Sequence, residues 1–278
     1  MKVLNIVGLM ASTLLFFSHA VADGLESFNQ LEGNILIAGG TAHLPIMYEL
    51  KHRIEEFNPN IHILVRGGGS TFGIEQIGKG LIDIGNAGRL LKPKEQQHYD
   101  LQTIPLAIDA IAVVVHPSNP ISNLSTDTVR KIYAGEITNW KQVGGDDSPI
   151  SLYDRNAGSG TRSVFLKKVM PNETPTTTAN IIDDHDKMKV VVSWDKNALG
   201  YMSLGHVDES KVKPLALNGV VPNFSNAQSG KYILARKIYI YLPADITKVS
   251  ELTRRFVEYL LSPDGAEIIR HNGYIPVK

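Results

Sequence analysis

The chain has no cysteine among its 278 residues, so disulfides, thiolate metal sites and a thioether-linked lipid are excluded. It has no excess of either charge: 28 Lys and Arg stand against 28 Asp and Glu. A neutral chain without a basic run gives no support for nucleic acid or a membrane surface as partner, and any anion it binds is held by local groups. No apolar run reaches the roughly 20 residues that cross a bilayer as a helix. The run Val3 to Phe17 follows Met1-Lys2 and precedes Ser-His-Ala-Val-Ala. That pattern is expected to be a signal peptide over residues 1–22, cleaved after Ala22, with a chain that then diffuses freely in a bacterial periplasm. The remainder is long enough for a well-buried core in one large domain or two small ones.

From Asn34 onward, short β-type runs alternate with helical patterns. "NILIAGG" is followed by "LPIMYELKHRIEEF", whose Ile46, Leu50, Ile54 and Phe57 share one helical stripe. "IHILVRGGG", the helical "TFGIEQIGKG" and the strand "LIDIGNAG" come next. Such a series implies an α/β fold with a parallel sheet and helices on both faces. "IPLAIDAIAVVVHPSNP" reads as a long buried strand leaving one unit for another, and a second unit starts near Ile111. It contains the helix "TDTVRKIYAG", capped by Ser125 or Thr126, the strand "ISLYD" and the helical "HDKMKVVVSW". After "SGKYILARKIYIYL" come two amphipathic helices, one carrying Leu252, Phe256 and Leu260, the other starting at Ser262-Pro263-Asp264; these return to the first unit. Ligands of such sheets sit where strands lead into helices. That directs attention to Gly39–Pro45, Gly67–Gly73 and Asn156–Arg162.

In "DRNAGSGTR" the amides of Ser159, Gly160 and Thr161 are the unpaired donors of a helix's first turn, where the dipole favours negative charge. Ser159 and Thr161 add hydroxyls, and Arg155 presents a planar fork to two oxygens of a tetrahedral oxyanion. The plainer reading has Ser159 capping a helix and the arginines solvated. Gly40-Thr41-Ala42 and Gly69-Ser70-Thr71 supply more hydroxyls and bare amides at the other two junctions. Three such turns with an arginine beside one point to a buried tetrahedral anion.

Other chemistry finds less support. No Gly-Lys-Ser/Thr is present, and Gly67, Gly69 and Phe72 fail the dinucleotide pattern at its third glycine. Ser159 has Ala157 where a nucleophile elbow needs glycine. Asp183, Asp184, His185 and Asp186 could ligate a metal but read better as an acidic surface loop, so no metal or other cofactor is expected. His43 is the histidine nearest a proposed site and reads either as a ligand contact or as a helix-start residue.

The sequence resembles the periplasmic phosphate-binding proteins of ABC-type phosphate importers, especially their shorter members. The likeness lies in "GGGSTFGIEQIGKGLIDIGNAGR", "KIYAGEITNWKQVGG", "DRNAGSGTR", "ALGYMSLGHV" and "LSPDGAEIIRHNGYIPV". It implies a two-lobed type II periplasmic binding protein fold, each lobe a mostly parallel sheet flanked by helices, joined by a two-strand hinge. Lobe 1 is expected at 23–110 plus 232–278 and lobe 2 at 111–231. The ligand set it implies is Gly40, Thr41 and Ala42 on the first loop, Ser70 and Thr71 on the second, and Arg155, Ser159, Gly160 and Thr161 on the third. The sequence departs from the family where well-known members place an aspartate that accepts the proton of phosphate, since Gly88 stands there. Asp154, Asp109 or a backbone carbonyl is then expected to replace it. Gly40 and Ala42 stand where shorter relatives carry serines, and at least one of Arg66, Arg89 and Arg162 is expected to join Arg155 in compensation. The resemblance implies a monomeric, non-enzymatic receptor that hands an inorganic oxyanion, foremost phosphate, to an ABC permease. Another tetrahedral oxyanion or a small phosphorylated molecule, a secreted phosphatase-type hydrolase using Ser159 or Ser70, and a sensory or adhesive module remain as alternatives.

Overall fold

A computed structural model describes residues 24–171 and 173–277; the expected signal peptide lies outside them. The chain begins with β1 (Gly33–Gly39), α1 (Leu44–Phe57), β2 (Ile61–Gly68), α2 (Gly69–Gly78), β3 (Ile84–Ala87), α3 (Pro93–His98) and the long β4 (Leu101–Val115). The middle holds β5 (Asn123–Leu124), α4 (Thr126–Ala134), β6 (Ser151–Arg155), α5 (Gly160–Val169), β7 (Asn180–Ile182), α6 (His185–Trp194) and β8 (Ala198–Ser203). The last part comprises β9 (Lys213–Pro214), β10 (Ala216–Leu217), α7 (Phe224–Gln228), β11 (Ala235–Pro243), α8 (Glu251–Leu261), α9 (Pro263–His271) and β12 (Ile275–Pro276).

Local chemistry sets the helix boundaries. Pro45 sits in the first turn of α1, where its missing N–H costs nothing. Ile46, Met47, Leu50 and Ile54 face inward, whereas Phe57, at the last position, is 38% exposed and falls off the expected stripe. Ser125, not Thr126, caps α4, its hydroxyl accepting from the Thr128 amide at 2.9 Å. Ser250 and Ser262 cap α8 and α9 in the same way, each satisfying a first-turn amide. Leu252, Phe256 and Leu260 of α8 are buried.

Eight strands form one hydrogen-bonded path in the order β2-β1-β3-β11-β4-β8-β6-β7, with β9 and β12 added along β4, while β5 and β10 pair separately. Its two ends are parallel, β1 with β2 and β3 on one side, β6 with β8 and β7 on the other. The centre is antiparallel: β11 lies between β3 and β4, and β4 pairs with β8. This is the main departure from the expected architecture, since the two parallel halves are joined in one continuous mixed sheet. Along β4 the partner changes from β11, through Ala110, to β8, from Ile111. The apolar packing changes at the same place. One core gathers β1, β2, α1 and α8 with Leu106, Ala107, Ile238 and Ile240. Another gathers α4, α5 and β8 around Ile111, Val113, Phe165, Tyr201 and Leu234. Among the described residues no helix is long and apolar enough to cross a membrane.

Candidate functional site

Three strand-to-helix turns meet at one small cavity. Gly40, Thr41 and Ala42 line it from the β1–α1 turn, Gly69 and Ser70 from the start of α2, and Gly88 from the residue after β3. Arg155 at the end of β6, with Ser159, Gly160 and Thr161 at the start of α5, closes it from the other half of the chain, and Arg236 of β11 completes it. The cavity measures about 10 Å³, roughly the least free space that holds one water, so a tetrahedral oxyanion enters only if the walls part.

The turns are tied to one another across long sequence separations. The Thr71 amide donates to Gly158 O at 3.1 Å, and Arg155 Nη2 donates to Thr41 Oγ1 at 3.3 Å. Arg236 Nη2 donates to Thr161 Oγ1 at 2.9 Å and its Nη1 to Gly88 O at 3.3 Å. At Gly160 the approach is so close that a Cβ would lie 2.1 Å from Ser70 Oγ and 3.2 Å from Gly88 Cα; only glycine fits.

The charge at the site is carried by Arg155. Its side chain is 1% exposed, and every acceptor it meets is neutral. Nε and Nη2 donate to the carbonyls of Ile182 and Asp183, and Nη1 donates to His185. Among the described residues no carboxylate pairs with it, in contrast to Arg236 with Asp109, Arg162 with Asp154 and Arg89 with Glu95. Burial, with the like charge of Arg236 adding to it, lowers its pKa to about 10. A desolvated guanidinium without a counter-charge is costly, and the cavity is where an anion would supply one.

Behind the cavity stand His185 and His43, both buried and neutral. Arg155 Nη1 at 3.1 Å and the Ser203 amide at 3.3 Å both donate to His185 Nδ1, so the ring proton resides on Nε2 and faces Thr161 Oγ1 at 3.4 Å. Burial, then the charge of Arg155, drives its pKa well below the usual value. His43 packs under the first turn between Gly40 O and Tyr239 O; burial and then Arg236 lower its pKa from 6.5 to about 3. It does not line the cavity. In the unfolded chain both rings protonate first, so the unfolded state binds more protons and stability is lost as pH falls from 6.5 toward about 3. His43 alone is expected to remove on the order of 2 kcal/mol between neutrality and about pH 5. Urea unfolding at those two pH values checks this, and a midpoint that moves only where carboxylates titrate would count against it.

The remaining residues have other employment. Thr71 turns its hydroxyl to Arg89 Nη2 at 3.0 Å. Arg89 grips both oxygens of Glu95 at 2.7 Å, Arg162 Nε donates to Asp154 at 2.8 Å, and Arg66 lies 5.6 Å over the Phe72 ring. None of these three arginines lines the cavity; the second arginine there is Arg236, which the sequence reading missed. The available signal was phase: Arg236 shares the buried side of β11 with Ile238 and Ile240, an unusual place for a charge. Asp109 and Asp154, considered as replacements at the Gly88 position, also lie outside the cavity wall. His185 belongs to no acidic surface loop; it is fully buried. Among the described residues no group of three potential ligands suited to a metal occurs.

An α/β chain that wraps strand-to-helix turns around a buried cationic cavity is built as a solute-binding protein, and residues 26–264 match the family model described as a PBP superfamily domain. The neighbouring structures have the periplasmic binding protein fold. Within that superfamily the chain belongs to the family of PstS-type phosphate-binding proteins. The phosphate-binding protein PstS of Bacillus subtilis is 30% identical over 260 residues, spanning 92% of this chain and 85% of that protein. A phosphate ABC transporter substrate-binding protein of Clostridium perfringens, solved with bound phosphate, superposes with a TM-score of 0.83 at 32% identity, covering 88% of this chain and 100% of that one. An ABC-type phosphate transport receptor of Vibrio cholerae gives 0.67 at 34% identity, covering 87% and 99%.

Proposed function

We propose that the protein captures inorganic phosphate outside the cytoplasm and delivers it to an ABC-type permease. It is a binding protein, like the relatives it matches, and not an enzyme. The observation that carries the reading is Arg155: a guanidinium at 1% exposure, surrounded by neutral acceptors, facing a cavity that hydroxyls and first-turn amides share. The ligand set is then Gly40, Thr41, Ala42, Ser70, Arg155, Ser159, Gly160 and Thr161, with Arg236 added. A periplasmic location and a monomeric state belong to the same reading.

The mechanism is closure of two lobes, 23–110 plus 232–278 against 111–231, over the anion. The change of partner along β4 after Ala110 and the separate cores on either side of it support the boundary at 110/111, whereas Tyr232 and Leu234 pack in the second core and move the return crossing a few residues past 231. The two segments that cross between them, β4 at Ala110–Ile111 and the stretch leading into β11, would form the hinge. Phosphate contacting both lobes favours the closed state by its differential affinity. Calorimetric titration of the purified chain with phosphate tests the reading. One saturable site is expected, with a melting temperature raised by roughly 5 to 10 °C at a hundredfold excess over Kd. No heat and no thermal shift would overturn it.

A further inference from the structure

Every polar side chain in the cavity wall is a hydroxyl or a guanidinium, able to donate, and none is a carboxylate. We infer that the site selects tetrahedral dianions by charge and shape without sensing a proton, so that sulfate binds within about tenfold of phosphate. The inference rests on the phosphate reading and refines it.

Phosphate near neutrality carries a proton that sulfate lacks. A receptor excludes sulfate only if a buried acceptor meets that proton, for an acceptor left unmatched is what rejects the wrong ligand, by as much as about 10⁴ to 10⁵. The two buried carboxylates among the described residues, Asp109 and Asp154, are already committed. Asp109 Oδ2 accepts from Arg236 Nε at 3.0 Å and Nη2 at 2.8 Å, and its Oδ1 from Ser203 Oγ at 2.8 Å. Asp154 Oδ1 accepts from the Tyr201 hydroxyl at 2.5 Å and the Arg155 amide at 2.7 Å, and its Oδ2 from Arg162 Nε at 2.8 Å.

Gly88 contributes no side chain, and a guanidinium occupies the space where one would start: a Cβ there would lie 2.6 Å from Arg236 Nη1. The hydroxyls are oriented by other donors. Thr161 Oγ1 takes Arg236 Nη2 at 2.9 Å and faces His185 Nε2 at 3.4 Å, which occupies both its lone pairs. Ser70 Oγ accepts from the Gly88 amide, Thr41 Oγ1 from Arg155, and Ser159 Oγ from the Arg162 amide. Their protons are left to turn toward the anion. A protonated phosphate oxygen finds no carboxylate in the wall, only neutral oxygen lone pairs, which penalise sulfate far less for lacking the proton than an ionised acceptor does.

Separate titrations of the full chain with sulfate and with phosphate, at one pH and ionic strength, decide the matter. Dissociation constants within about tenfold are expected. A preference for phosphate beyond about a hundredfold overturns the inference while leaving the phosphate reading intact; absence of phosphate binding sinks both. Asp109→Asn and Asp154→Asn provide a second readout in the ratio of the two constants, which is expected to stay constant even if both affinities fall. A ratio that shifts toward sulfate in either variant identifies that carboxylate as the proton acceptor and refutes the inference.

Discussion

Arg155→Met is expected to weaken phosphate binding by about 30-fold or more, the equivalent of the roughly 2 to 5 kcal/mol lost when one partner of a buried charge pair is truncated. The ligand's thermal shift is expected to shrink with it. The unliganded protein is expected to change little, because two effects oppose each other. Methionine leaves the carbonyls of Ile182 and Asp183 without the donors they now have, yet it also removes a guanidinium whose burial disfavours the charged form. Arg66→Met serves as the control, since Arg66 is exposed and lies over Phe72; its affinity is expected to match the parent's. Titration of both variants checks the pair of outcomes, and an Arg155→Met affinity within a factor of about three of the parent would remove the central premise.

Gly160→Ala is expected to uncouple folding from capture. Residue 160 opens α5, a position where alanine is locally a better helix former than glycine, so the half of the chain that contains it should fold normally. The added methyl would meet Ser70 Oγ at 2.1 Å, Ser70 Cβ at 3.0 Å and Gly88 Cα at 3.2 Å, all from the opposing half. Overpacking of this kind costs about 1 to 3 kcal/mol, which becomes a loss of roughly fivefold to over a hundredfold in affinity because the penalty arises only when the halves meet. Phosphate titration, with small-angle scattering for compaction and a melting curve for integrity, separates this from simple misfolding. An unchanged affinity would mean that the halves do not approach this closely around the ligand.

The parts of the site legible in the sequence were those written locally. A glycine and a hydroxyl at a strand-to-helix boundary state their geometry within a few residues, which is why Thr41, Ser70 and Ser159 could be named without coordinates and why they lie around one cavity. The helix caps and apolar stripes were readable for the same reason. Arg236 was not, because its position depends on a pairing between strands far apart in the chain: it lies directly across from Asp109 in the β4–β11 register. "SGKYILARKIYIYL" announces a strand but not its neighbour. Likewise, the antiparallel centre of the sheet is a long-range property, whereas the β-α-β rhythm that suggested parallel strands is a local one. His185 was obscured by Asp183, Asp184 and Asp186 around it. Asp184 spends its carboxylate on capping α6 through the Lys187 amide at 2.8 Å, and the residue after it turns inward. Arg89 and Arg162 find carboxylates only six and eight residues away, so local pairing was the better guide to them than proximity to a glycine run.

The insertion of β11 between β3 and β4 has a bearing on biogenesis. Phe256, Ile268 and Tyr274 share a core with Ile35, Ile46 and Ile63, so a nascent polypeptide cannot seal its first hydrophobic nucleus until residues about 200 positions further on have been translated. Such distant pairing makes maturation slow, leaving an interval in which the chain is still threadable from end to end.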